Sequence, residues 1–191
     1  MFIDFIKHYN WVDIVIIIVL LRTGYNAMKT GILVEAFKFL GVLSSIYISS
    51  HYYTTLSDFI KRSIPGDIIP LQFLDFISFI FLIVIGYLIF VLLRSIFSHF
   101  IKIDTQNILN KWLGLALGLL RGYFIGGLII FSMSISSADY FKNSAVHSYN
   151  GRRLFEVTPG VYSWLWNNVA SKFMADEKYN PTVGEAKEGF K

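Results

Sequence analysis

Residues 113–135 read LGLALGLLRGYFIGGLIIFSMSI and decide the fold class. The only charged side chain in this stretch is Arg121. A helix needs about 20 mostly apolar residues to cross the hydrocarbon core of a bilayer. The stretch therefore predicts a transmembrane helix.

The whole composition agrees with a membrane protein. The chain has 191 residues, of which 54% are hydrophobic and 16% charged, and its mean hydropathy is +0.55. Soluble domains carry about 25% charged residues. The apolar residues stand in long blocks, which excludes disorder and argues against a soluble enzyme. The absence of Cys excludes disulfides and thiolate metal sites. The net charge is +4, and no run of basic residues is dense enough to indicate nucleic-acid binding.

Three further apolar blocks lead to a prediction of four transmembrane helices at about 11–29, 31–50, 73–93 and 113–135. The first is the weakest, because its uninterrupted apolar core covers only residues 14–21. It spans a bilayer only as a short or broken helix that continues past Arg22. The predicted fold class is an all-α integral membrane protein with amphipathic interfacial helices.

The predicted organisation has three parts. Residues 1–136 form the four-span membrane domain, with amphipathic connections at 51–72 and 95–111. Residues 137–175 form an amphipathic segment that lies at the membrane interface, because apolar side chains recur there at helical spacing. Residues 176–191 are charged, contain Pro181 and two glycines, and are predicted to be disordered.

Four glycines in residues 113–135 repeat at every fourth position, like a glycine zipper. They cover about 120° of one helix face, and each costs roughly 1 kcal/mol relative to alanine in a helix interior. In membranes, close approach between helices compensates such a cost. A dynamic interface is one interpretation, and static packing within a bundle or a homodimer is the other. The residues are Gly114, Gly118, Gly122 and Gly126.

A few charged residues lie within the predicted spans. Arg121 should face protein or water and have a partner, because an unpaired charge in hydrocarbon is costly. Glu35 is the preferred partner because it also lies inside a span, and Asp13 and Asp75 are the other candidates. Together with Arg22, Glu35 and Arg121 form a candidate intramembrane charge site. It either lines an ion or substrate path, or serves as a structural ion pair.

Motifs of soluble enzymes are missing, including GxSxG, HExxH and the Walker loop. The four histidines stand in the connections and the tail, and none pairs with another at metal-ligand spacing. We therefore predict no catalytic residue, no cofactor and no metal site.

Several motifs resemble the CvpA family, the colicin V production proteins of bacterial inner membranes. The first is Asn10-Trp11-Val12-Asp13-Ile14-Val15, and the second is Arg22-Thr23-Gly24-Tyr25 followed by Gly31 and Glu35. The third runs from Leu113-Gly114 to Leu119-Leu120-Arg121-Gly122. The chain departs from the family by one extra residue between Arg22 and Gly24. The resemblance implies four membrane spans, a requirement in toxin production or export, and no known catalytic residues.

The leading functional hypothesis is a non-enzymatic inner-membrane protein that acts in secretion or envelope maintenance. Its expected partners are the lipid bilayer, an envelope or secretion protein and a second copy bound through the glycine face. A small channel or transporter that uses the charge site is the alternative from another class, and a membrane anchor docking through 137–175 is a third. Basic residues are balanced between the two sides, five against six, and do not decide orientation. Related four-span segments are fused to a periplasmic protease domain, which favours both termini outside.

Overall fold

A computed structural model describes residues 10–64, 69–98, 108–174 and 176–189. Most of these residues are helical, and no strand occurs among them. The elements are α1 (Trp11–Ser63), α2 (Leu71–Ser98), α3 (Ile108–Ile135), α4 (Asp139–Val146), α5 (Gly151–Leu165), a π-helical turn (Trp166–Ala170), α6 (Ser171–Phe173) and α7 (Thr182–Gly189).

Helix α1 is divided by Gly31, the one residue inside it whose backbone is not helical. Gly31 has φ 76° and ψ 172°, a conformation that is essentially restricted to glycine. The side-chain Oδ1 of Asn110 accepts a hydrogen bond of 2.7 Å from the backbone N–H of Ile32. This contact caps the helix that restarts after the glycine. We call residues 11–30 the first leg and residues 32–63 the second leg.

The first leg runs antiparallel to α3. A Cβ added at Gly126 would lie 3.6 Å from Ile16, whereas one added at Gly118 would overlap the Ala27 side chain. Positions later in α3 therefore meet positions earlier in the first leg.

The second leg runs parallel to α3. Glu35 meets Arg121, and the Phe39 ring lies 5.4 Å from the Phe124 ring. The direction of packing along α3 thus reverses between the two legs, so the turn at Gly31 folds α1 into a hairpin.

The second leg also packs closely and antiparallel against α2. A Cβ added at Gly86 would lie 2.8 Å from the Cα of Ser45, and Tyr53 packs edge-to-face on Phe79. Helices α2 and α3 contact each other much less than either contacts α1. The second leg therefore stands between them.

Three helices are long and apolar enough to cross a membrane, namely α1, α2 and α3. The sequence predicted four, because it divided residues 11–50 into two spans. In the structure these spans correspond to the two legs of α1, which meet at the non-helical Gly31. The predicted connection at 51–72 is also different, since residues 51–63 continue the second leg. Residues 99–107 of the other predicted connection lie outside the described part.

The C-terminal helices pack on the beginning of α1 and the end of α3. Asp13 accepts hydrogen bonds from the Ser148 hydroxyl at 2.7 Å and the Tyr149 backbone N–H at 3.1 Å. The Phe155 ring of α5 stacks on Phe131 of α3 at 5.5 Å. The start of α1 and the C-terminal helices therefore lie at the same end of the bundle.

The predicted disorder of residues 176–191 is wrong for the described residues 176–189. Helix α7 forms there, and Asn180 and Val183 are buried. The Asn180 side chain donates to the carbonyl oxygen of Ser50 at 2.9 Å, and its backbone N–H donates to the Tyr162 hydroxyl at 2.9 Å. Composition could not reveal this order, because it depends on a few specific contacts with distant residues.

Candidate functional site

Glu35 is the centre of a buried charge cluster at the beginning of the second leg. It lies four residues after the turn at Gly31, close to the positive end of the helix dipole, which favours a carboxylate. Its Oε1 atom accepts a 2.8 Å hydrogen bond from the Thr30 hydroxyl and another from the Lys38 ammonium group. The Glu35 side chain is fully buried.

Arg121 of α3 completes the cluster. Its Nη2 atom lies 3.0 Å from Oε2 of Glu35, and the residue is only 6% exposed. The distance defines an ion pair, although neither Glu35 Oε2 nor Arg121 Nε has a hydrogen-bond partner in the part of the chain that the structure describes. The attraction between the two groups is therefore mainly coulombic.

The formal charges of the cluster do not cancel. One carboxylate, Glu35, stands between two cations, Lys38 and Arg121, which leaves one excess positive charge when all three are ionised. The Lys38 side chain is 13% exposed, so one edge of the cluster reaches the protein surface. Buried uncompensated charge is costly, and a small anion beside Arg121 would lower that cost.

The structure distributes the other predicted charged residues elsewhere. Asp13 is bonded to the C-terminal helices, as described above, and Asp75 accepts a hydrogen bond from Ser57. Arg22 of the candidate charge site is exposed on the first leg, whereas Glu35 and Arg121 are buried. The contact predicted between Glu35 and Arg121 is therefore present. Arg22, which the prediction placed in the same site, is exposed and does not belong to the buried cluster.

The glycine face of α3 is covered by the chain itself. A Cβ at Gly114 would lie 2.9 Å from the Ala27 carbonyl oxygen, and one at Gly122 would overlap the Thr23 hydroxyl. Gly126 faces Ile16 and also Leu154 of α5. The close approach predicted for this face therefore occurs between α3 and its own first leg. Assembly of two copies stays a prediction, and the covered face offers no surface for it.

The sequence did not anticipate a second polar cluster, which surrounds His51 on the second leg. His51 is 6% exposed, and its Nδ1 atom lies 2.9 Å from the Tyr162 hydroxyl. Its Nε2 atom bonds to the Glu177 carboxylate, which also accepts a 2.9 Å hydrogen bond from the Tyr52 hydroxyl. The bond from His51, followed by that from Tyr52, lowers the pKa of Glu177. The only signal in the sequence was a histidine among tyrosines.

These contacts hold the C-terminal segment on α1. Asn180 and Glu177 both contact the short stretch of α1 around His51. Within the described ranges, no three His, Asp or Glu side chains are grouped closely enough to hold a metal ion. The His51 cluster therefore has a structural role, in which it holds the C-terminal segment against α1.

Three long apolar helices, packed through glycines and around a buried ion cluster, define a multi-pass α-helical membrane protein. A family model described as Colicin V production protein matches residues 12–175. The chain belongs to this family, and the match extends from the first leg through α6. No curated protein and no solved structure was found to match the chain.

Proposed function

We propose that the chain is a non-enzymatic protein of the bacterial inner membrane that supports toxin export or envelope maintenance. Its membership of the Colicin V production protein family supports a link to toxin production. The contact between Glu35 and Arg121 carries the choice of a scaffold over a channel, because the opposite charges of these two side chains pair with each other. A charged path would require these groups to face a wet cavity.

Four membrane crossings are part of this proposal. The packing direction reverses at Gly31, so the two legs of α1 would cross the bilayer in opposite senses. At 1.5 Å per residue, the 53 residues of α1 would extend for about 80 Å if straight, far beyond the bilayer thickness of about 30 Å. Both termini would lie in the periplasm, as the family's fusion to a periplasmic domain favours.

Cysteine labelling tests this topology, and the chain has no native Cys to interfere. Single cysteines replace four exposed residues, Lys29, Ser63, Lys111 and His147. In intact cells with a permeable outer membrane, an impermeant maleimide should label Ser63→Cys and His147→Cys. It should reach Lys29→Cys and Lys111→Cys only after the inner membrane is opened. Labelling of Lys29→Cys and Lys111→Cys from opposite sides would overturn the four-crossing proposal.

The role itself is tested by toxin secretion from a strain that lacks the protein. Expression of the wild-type chain should restore secretion, and purified protein in liposomes should conduct no ions. Ion flux that disappears in a folded Arg121→Ala variant would overturn the scaffold proposal in favour of a channel.

A second candidate function is a membrane anchor for a partner protein. The observation that favours it is the presence of exposed aromatic side chains on the C-terminal helices and in the turn between α4 and α5. Tyr149 is 67% exposed, Trp164 is 60% exposed and Phe173 is 83% exposed. Co-purification of one envelope protein with the wild type, but not with a Trp164→Ser/Phe173→Ser variant, would support this role. A Leu92→Ser variant controls for loss of an exposed apolar residue elsewhere.

A further inference from the structure

An apolar groove runs along the bundle between α2 and α3. Because the second leg separates these helices, they leave an open space whose floor includes Val42 and Ser45. Ile83 of α2 and Ile125 of α3 contribute to its walls. Its volume of about 380 Å³ lies in the range of small-ligand sites, which is about 300–1,000 Å³.

The groove opens toward the surroundings of the transmembrane helices. Val84 and Leu88 line it and are 50% and 49% exposed. In a multi-pass membrane protein, side chains exposed on such helices face lipid. The natural occupant of an apolar groove at this position is therefore a hydrocarbon chain.

One charged residue, Arg121, also lines this groove. Its side chain is only 8% exposed, and its Nε–H has no hydrogen-bond partner among the described residues. The cluster around Glu35 leaves an excess positive charge, as described above, and Lys38 connects its edge to the surface. An apolar groove that is lined by the positively charged Arg121 fits an amphiphile with a negatively charged headgroup.

We propose that the groove binds one anionic phospholipid, with an acyl chain along α2 and α3 and the phosphate group at Arg121. The phosphate would pair with the Arg121 guanidinium and neutralise the excess charge of the cluster. The proposal requires insertion in a membrane but is independent of a role in secretion. The experiments below measure lipid binding directly. A negative result would therefore contradict the lipid proposal and leave the proposed role in secretion unaffected.

Native mass spectrometry of the full-length protein in detergent tests the headgroup. Phosphatidylglycerol and phosphatidylcholine with identical chains are added separately. We expect about tenfold tighter binding of phosphatidylglycerol, because its negative charge is not offset by the quaternary ammonium group that phosphatidylcholine carries. The Arg121→Gln variant should lose this preference. Arg22→Gln, which removes an exposed arginine outside the cluster, should keep it.

A Glu35→Gln/Arg121→Gln variant covers the case in which Arg121→Gln alone does not fold. It removes both charges of the buried pair and leaves no uncompensated carboxylate at this position. This variant should also bind the two lipids equally. A preference for phosphatidylglycerol that survives in the folded double variant would overturn the contact with Arg121.

A tryptophan in the groove tests the acyl chain. Val84→Trp should weaken binding of both lipids about tenfold, whereas Leu92→Trp, on the same helix outside the groove, should bind like the wild type. Equal binding by these two variants would overturn the groove as the site. Displacement of phosphatidylglycerol by millimolar inorganic phosphate would show that the site recognises a free anion and would overturn the lipid assignment.

Discussion

A Cβ added to Gly118 would overlap the side chain of Ala27 and lie 3.0 Å from the carbonyl oxygen of Thr23. Helix α3 and the first leg of α1 therefore approach each other as closely as glycine permits. This contact turns a costly run of helical glycines into the packing surface that holds the first leg on the bundle.

Replacement of Gly118 by alanine should lower the free energy of unfolding by about 1–3 kcal/mol, because the added methyl group overpacks the contact. Thermal unfolding of the purified protein in detergent measures this effect. Gly160→Ala is the matched control, since nothing lies within 4 Å of a Cβ there. It should be neutral or slightly stabilising. Ala27→Gly should partly rescue Gly118→Ala, and no rescue would contradict the assigned contact.

Replacement of Gly31 by alanine should destabilise the hairpin for two reasons. The backbone conformation at φ 76° is unfavourable for any side chain, at about 1–3 kcal/mol. A Cβ would also lie 2.9 Å from the side-chain nitrogen of Asn110. The double variant Gly31→Ala/Asn110→Ala removes the clash but not the backbone strain. It should therefore remain less stable than Asn110→Ala alone, as measured by thermal unfolding. Equal stability would show that the turn does not need glycine.

Replacement of Glu35 by glutamine should lower the free energy of unfolding by about 3–5 kcal/mol, because Arg121 and Lys38 lose their counter-charge inside the protein. Adding Arg121→Gln should recover part of this loss. The exposed Asp58→Asn serves as the control and should change stability by no more than about 0.5 kcal/mol. Thermal unfolding at constant detergent concentration measures all four proteins. Equal losses in the single and double variants would contradict a coupled pair.

Docking of the C-terminal segment should weaken at acid pH, because protonation of Glu177 weakens its contacts with His51 and Tyr52. The hydrogen bonds from His51 and Tyr52 hold the pKa of Glu177 below its usual value of about 4.3. The stabilisation is therefore fully present above pH 4.3 and is lost as the pH falls through the lowered pKa. A Cys-reactive dye added to an Ala186→Cys variant would report release of α7 as the pH falls. Glu177→Gln should remove this dependence, whereas Asp139→Asn should retain it.

Much of the architecture was predictable from local patterns. Each long apolar block marks a helix that can lie in a bilayer, because unpaired backbone groups are too costly there. The repeat of Gly114, Gly118, Gly122 and Gly126 identified a face of close helix packing. The scarcity of charge drew attention to Glu35 and Arg121, because a buried charge requires a partner.

Other features depended on contacts between residues far apart in the chain. No local pattern shows that Gly31 reverses the helix, that Asn110 caps it, or that the first leg covers the glycine face. The tail at 176–189 carries the composition of a disordered segment, yet Glu177 and Asn180 find partners around His51. The sequence by itself determined that the long helices of this protein suit a lipid bilayer, because hydropathy is a sum over neighbouring residues. Only the tertiary structure decided which faces and charges meet, because that depends on the fold as a whole.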